Sequence, residues 1–245
     1  MKLAVFGDVH GNLAALEAAL SDAQEQNADS FVCLGDVASF GPQPREALAR
    51  TKALGCPVVM GNADWELLDV PTRAALQASS PLSFDIASWC AEQLDDEDRT
   101  LVWTFQKTVR LELDGLPILC FHGSPRSYDD VITATTPDET LAELFGERAP
   151  LMFGGHTHVQ LLRRYEDVVF VNPGSVGLPF ERLPDGRVQN PARAEYALLE
   201  VSWGQPSVTF RRVHYDVQAL LEAVQTSWMP HADVWSADWS GQTAL

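Results

Sequence analysis

Five times along this chain a short apolar, β-prone run breaks off into a polar word, and this recurrence limits the fold more than any other feature. Residues 2–6 lead to Asp8-Val9-His10-Gly11-Asn12, 31–34 to Gly35-Asp36, 57–60 to Gly61-Asn62-Ala63-Asp64, 117–121 to His122-Gly123-Ser124, and 151–153 to Gly154-Gly155-His156-Thr157-His158. Between the first three runs, apolar residues repeat at helical spacing over 13–26 and over 43–54, the latter starting near Pro44 and stopping at Gly55. A β-α-β-α-β order implies right-handed crossovers and a parallel sheet whose carboxyl ends share one edge. Ligands bind at that edge in open sheets of this kind. The chain is therefore expected to be α/β and to gather its polar words at one end.

The remaining pattern predicts the following order. Residues 64–105 are rich in Ala, Leu and Trp, are interrupted by Pro71 and Pro81, and read as a helical insert. Residues 107–113 alternate, Asp114-Gly115 supplies a hairpin turn, and 117–121 form a buried strand. A helix is expected near 138–145 and another over 216–227. Strands near 159–164, 168–171, 195–202 and 207–213 suggest a second, mostly antiparallel sheet. One catalytic domain over 1–227, carrying the insert, and a tail over 228–245 with Trp228, Trp235 and Trp239 complete the expectation.

Charge restricts the partners. A net charge of −17, from 34 acidic and 17 basic residues, disfavours nucleic-acid duplexes and anionic membranes. A small phosphate ester can still bind where metal ions reverse the field locally. Cys33, Cys56, Cys90 and Cys120 form no Cys-x-x-Cys pair and read as buried, reduced thiols. No run matches a signal-peptide core or the ~20 apolar residues of a membrane span, so a cytoplasmic setting is expected.

Carboxylate oxygens, imidazole nitrogens and one amide oxygen make a mixed shell suited to manganese, iron or zinc, while the lack of a thiolate argues against structural zinc. Two dications against the carboxylates Asp8 and Asp36 would leave about two positive charges, enough to attract a phosphate oxyanion and acidify water. Each word alone is weak, since Gly-Asp commonly marks a turn and His-x-His an exposed loop. Their joint occurrence is not: His10, His122, His156 and His158, four of the 6 histidines, all follow expected strands, whereas His214 and His231 have no such context.

With these motifs the chain, from residue 1 to about 215, resembles the calcineurin-like metallophosphoesterase superfamily, in particular its small bacterial and archaeal phosphodiesterase-like branch. The resemblance implies a four-layer α-β-β-α sandwich with two divalent metals, manganese foremost, with iron, zinc or nickel as alternatives. It implies Asp8, His10, Asp36 and His158 about one metal, and Asp36 bridging to a second completed by Asn62, His122 and His156. Asp36, Asn62 and His122 would carry catalysis. Asn12, which supports the first loop, Asn62 and Arg126 would meet the substrate, although Arg126 could equally be an exposed loop residue. Asp64 would either orient His122 or cap the first helix of the insert. Ala63 departs from the family pattern, which often places a histidine there, and cannot transfer a proton. The Asn172-Pro173-Gly174-Ser175-Val176-Gly177 run reads as a structural turn, and Trp65 and Trp89 as core or pocket residues. The implied activity is hydrolysis of a phosphodiester or small phosphorylated metabolite by a hydroxide bridging two metals. Alternatives are a phosphomonoesterase acting on a nucleotide or phosphoprotein, and a non-catalytic metal-binding scaffold. No oligomeric state follows from the sequence.

Overall fold

A computed structural model describes residues 1–186, 188–237 and 239. Strand β1 (Lys2–Phe6) shows how the layers arise: Leu3 and Val5 point to one side, Ala4 and Phe6 to the other, and all four are buried. Helix α1 (Leu13–Glu25) follows, then β2 (Ser30–Cys33) and α2 (Pro44–Ala53). The first sheet is completed late in the chain by β10 (Arg193–Ser202) and β11 (Gln205–His214), in the order β11-β10-β1-β2. Here β1 runs parallel to β2 and antiparallel to β10, with Ala4 opposite both Phe31 and Leu198.

The second sheet is built from β3 (Val109–Leu113), β4 (Leu116–Cys120), β5 (Leu151–Phe153), β6 (Leu161–Tyr165) and β7 (Val168–Asn172), in the order β3-β4-β5-β7-β6. Three apolar clusters separate four layers. Leu3, Val5, Val32 and Leu34 meet Ile118, Cys120, Leu151 and Phe153 between the sheets. Leu16 and Leu20 of α1 pack with Phe6 and Tyr196 on the outer face of the first sheet. Helix α7 (Asp138–Phe145) lays Leu141, Leu144 and Phe145 on Leu119, Met152 and Phe170 outside the second. The α-β-β-α order therefore follows from the two-residue alternation of β1 and of β4–β5, which feeds a different core from each strand face.

The insert consists of α3 (Asn62–Leu68), α4 (Val70–Ser79), α5 (Pro81–Gln93) and α6 (Asp96–Trp103). Pro71 and Pro81 do not interrupt helices but occupy first turns, where a missing N–H has no consequence, behind the caps Asp69 and Ser80. Leu67, Ile86, Cys90 and Val102 share the α1 core, and Trp65 and Trp89 pack against it; Trp65 also meets Trp103 edge-on at 5.5 Å.

Two expectations are corrected. Residues 57–60 form only isolated parallel bridges, Cys33 to Val58 and Val59 to Gln106, because Pro57 lacks a donor and the chain enters α3 at once. The four strands expected as a separate antiparallel sheet are instead divided, β6 and β7 joining β4–β5 and β10–β11 joining β1–β2. Between them lies a small ribbon, β8 (Glu181–Arg182) with β9 (Val188–Gln189).

Helix α8 (Val217–Ser227) is followed by α9 (Ala232–Ala237), whose Trp235 Nε1 donates to the Phe40 carbonyl at 3.0 Å. Trp239 is buried against Tyr215 and Trp235, while residues 240–245 of the tail lie outside the described residues. All four cysteines are free, and only Cys56 is partly exposed. Among the described residues no helix is long and apolar enough to cross a membrane.

Candidate metal centre

The polar words converge where β1, β2, β4 and β5 end. Asp8, His10, Asp36, His156 and His158 all have left-handed backbones, with φ between 47° and 68°. Such conformations are unfavourable for non-glycine residues and persist only where surrounding contacts over-determine them, a condition met mostly at functional sites. Here the contacts are backbone hydrogen bonds between loops: Asp8 N to Gly35 O, His10 N to Asp36 O and Gly177 N to Asp8 O, each at 2.9 Å.

Three histidines spend one ring nitrogen on a main-chain carbonyl. His10 Nδ1 donates to Ser39 O at 3.0 Å, His122 Nδ1 to Leu34 O at 2.8 Å and His158 Nδ1 to Leu178 O at 2.9 Å. Their Nε2 atoms thus all face one space. His10 Nε2 and His158 Nε2 lie 3.1 Å apart, and Asn62 Oδ1 sits 3.0 Å from His122 Nε2 and 2.9 Å from His156 Nδ1. Asp36 Oδ2 is 3.3 Å from His122 Nε2 and 3.8 Å from His10 Nε2, while Asp8 Oδ1 is 3.4 Å from His158 Nε2.

Two groups of donor atoms are compact enough for a metal: Asp8 with His10 and His158, and Asp8 with Asp36 and His122. The fit is more than proximity. Asp8 Oδ2 is buried without a hydrogen-bond partner among the described residues, an expensive state for a carboxylate that a cation relieves. Two imidazole nitrogens aimed at each other likewise suit a shared electron-pair acceptor.

The electrostatics agree. Burial pushes the His10 imidazole down to about 4, helped by His158, so that it is a neutral donor. Burial alone would lower His122 too, but the Asp36 and Asp8 carboxylates lift it to about 10. Asp36 is held well below the usual carboxylate range, with His122 the main influence overcoming burial. The carboxylate pair thus demands positive charge, which in the chain alone the histidines carry.

The structure favours one of the two roles expected of Asn12 and of Asp64: support of the first loop for Asn12, and the cap of the insert's first helix for Asp64. Asn12 is fully buried, accepts from Ala15 N at 3.1 Å as the cap of α1, and donates to Gly177 O and Tyr215 Oη, leaving no polar atom for a substrate. Its role is to support the loop. Asp64 does not touch the His122 Nδ1–H, which Leu34 O already occupies. Instead it accepts from the N–H of Asp36 at 2.7 Å, of Val37 at 2.8 Å and, as third residue of α3, of Gly61 at 3.3 Å. It therefore clamps the Asp36 loop. Arg126 is exposed and paired with Asp130 at 3.0 Å.

Other supports came from outside the ligand words. The turn after β7 ties two ligand loops together: Asn172 Nδ2 donates to Gly155 O at 2.7 Å, and Ser175 Oγ to Asp8 O at 2.7 Å. A Cβ at Gly177 would lie 1.8 Å from Val9 O, so only glycine permits this approach. Gly61 is equally constrained, since a Cβ there would lie 2.0 Å from Asp36 Oδ1. Glu66, one turn along α3 from Asn62, was not anticipated. It is buried, its Oε2 has no hydrogen-bond partner among the described residues, and burial, reinforced by Asp36, pushes it up to about 7. Its spacing from Asn62 was the available signal.

Comparisons with known proteins place the chain in a family. Residues 1–203 fit the model of the calcineurin-like phosphoesterase superfamily domain. The chain is 28% identical to a metallophosphoesterase from Sphaerobacter thermophilus of known structure, with a TM-score of 0.72 over 97% of this chain and 100% of that one. A hypothetical protein from Pyrococcus horikoshii shares the fold at a TM-score of 0.79 and 21% identity, each chain covered to 99%. A symmetrical bis(5'-nucleosyl)-tetraphosphatase from Hamiltonella defensa is 29% identical over 160 residues, which are 64% of this chain and 56% of that protein. With residues 1–203 matched by its family model, the chain belongs to the calcineurin-like phosphoesterase superfamily.

Proposed function

We propose that this protein is a metal-dependent phosphoesterase that hydrolyses a phosphodiester or another small phosphorylated metabolite. Asp8, His10, Asp36 and His158 would hold one divalent ion, and Asp36, Asn62, His122 and His156 a second. Asp36 suits the shared position because its Oδ1 is occupied by the Ala63 N–H at 2.9 Å, which turns Oδ2 between His122 and His10. The observation that carries this reading is the convergence of the imidazole nitrogens of His10, His122 and His158 on the Asp8 and Asp36 carboxylates, with Asp8 Oδ2 left without a partner among the described residues. Divalent ions in such a shell polarise a phosphoryl oxygen and lower the pKa of water.

The chain's own contribution is orientation. Carbonyls of Ser39, Leu34 and Leu178 fix which histidine nitrogen is free, and Asp64 holds the backbone of Asp36. Ala63 offers no proton to a leaving group, which favours esters whose leaving group departs without help from that position. The similarity to a dinucleoside tetraphosphatase supports including nucleotides among candidate substrates. Filled ligand positions favour catalysis over a scaffold role.

The test is metal analysis of purified protein followed by assay with added manganese. Release of para-nitrophenol should be faster from bis(para-nitrophenyl) phosphate than from the monoester. Reversal of that order would identify a phosphomonoesterase, bound metal with hydrolysis of neither compound would restore the scaffold reading, and failure to bind metal would overturn the metal centre itself.

A further inference from the structure

Beside the proposed metal centre lies a cleft of about 630 Å³. This is within the range of small-molecule sites, which are mostly apolar with few polar groups. One wall is the segment Val131–Thr135 that follows the His122 loop, and the other is formed by Val159, Leu161 and Phe180. His156 and Thr157 also line it, so the cleft reaches one of the proposed ligands. Val131 and Val159 are exposed at 54% and 48%, an apolar surface unusual on a chain of net charge −17.

Phe180 marks the junction. Its ring centroid is 6.3 Å from that of His158, and the Arg182 guanidinium lies 5.9 Å from the same ring. Gln160, although it lines the cleft, has its amide committed to main-chain carbonyls of Pro173 and Arg211 and its oxygen to Arg212. The hydroxyls of Thr133, Thr135 and Thr157 are likewise engaged within the fold, so apart from Arg182 the walls offer mainly faces for packing. A heavily hydroxylated group would lose its water there with little replacement.

We propose that this cleft binds an aromatic ring carried by the substrate's ester group, with phosphorus at the metal centre and the ring against Phe180. The inference rests on the phosphoesterase reading and adds the substrate class. Stacking against Phe180 and attraction to the Arg182 cation favour a planar aromatic group over an aliphatic chain of equal bulk. His156 in the lining, and Phe180 with its ring centroid 6.3 Å from that of His158, put the ring beside the phosphorus.

Phosphonates test this without turnover, because their phosphorus–carbon bond is not an ester. Calorimetric titration of the manganese-loaded protein with phenylphosphonate, methylphosphonate and octylphosphonate should show phenylphosphonate binding at least about tenfold more tightly than methylphosphonate. Phe180→Ala should bring that ratio to within about twofold, with metal content and methylphosphonate binding kept. Val131→Asp, an exposed substitution on the opposite wall that does not threaten folding, should also reduce the ratio. Equal binding of the phenyl and methyl compounds, stronger binding of the octyl compound, or a ratio unchanged in both variants overturns the proposal. If methylphosphonate also fails to bind and no ester is hydrolysed, the phosphoesterase reading itself has failed, an outcome distinct from loss of the phenyl preference alone.

Discussion

Asp36 and Asp64 divide the labour that the sequence words left undivided. Asp36 presents Oδ2 to two histidines, while Asp64 spends both oxygens on the backbone that carries Asp36. Asp36→Asn should lower kcat/KM by more than about 100-fold, the upper effect of losing a group that merely supports a ligand. His122→Ala should do the same while leaving circular dichroism unchanged, since each removes a donor without removing core packing. Retention of wild-type activity by both would place the centre elsewhere. Asp64→Ala leaves three main-chain N–H groups without an acceptor and should cost about 3 kcal/mol in urea unfolding. Because Leu34 O holds His122, the His122 Nδ1–H NMR signal of that variant should still report the hydrogen bond that leaves Nε2 facing the donor cluster.

At the scale of elements, α1 is fastened to the far edge of the first sheet through Asp22. Tyr196 Oη donates to Asp22 Oδ2 at 2.5 Å, and Arg211 Nε and Nη2 donate to its two oxygens at 2.9 and 2.6 Å. The hydrogen bond from Arg211 is the main cause holding the Asp22 carboxyl below its ordinary value. A folded pKa below the unfolded value of about 3.9 means that the linked stability is present above that value and is lost as pH falls through the folded pKa. Asp22→Asn should therefore cost about 2 kcal/mol at neutral pH, a deficit that shrinks in acid, as urea midpoints across the two ranges would show. The C-terminal helix makes a comparable fastening: Trp235 holds Phe40, beside the Ser39 carbonyl that orients His10. Trp235→Phe keeps a ring but removes the N–H. It should weaken metal binding at the His10 half by less than the roughly 10- to 100-fold expected of a partner that holds a ligand directly.

The whole molecule places acidic ligands inside an acidic protein, so its stability should depend on cations. If the centre forms only in the folded state, manganese at about 100 times its dissociation constant should add about 2.7 kcal/mol, and a chelator should remove it. Differential scanning calorimetry would read this as a rise in Tm that Asp36→Asn largely abolishes. The same concentration of charge explains why the layers are needed. Buried carboxylates are tolerable only where rigid backbone loops supply donors and fix neutral imidazoles, and sheets packed on both sides by helices provide that rigidity.

Much of this was legible in the sequence because it is local. Ligand identity, the strand preceding each word and the helical spacing of 13–25 are set by neighbours along the chain, and the family resemblance rests on those words. Partner choice was not legible. A β-prone run such as 195–202 can pair with β1 or form a sheet of its own, and only long-range packing, which here buries both faces of β10 through residue 199, decides between them. Residues 57–60 look like a full strand until the abrupt start of α3 leaves them as bridges. Asn12 and Asp64 read as site groups because their type and position suit chemistry, yet main-chain donors and carbonyls from distant loops claim their polar atoms. The sequence by itself determined which atoms could ligate, since that is covalent chemistry. The tertiary structure decided which remain free to do so, because hydrogen-bond competition inside a closed core depends on what the fold brings within 3 Å.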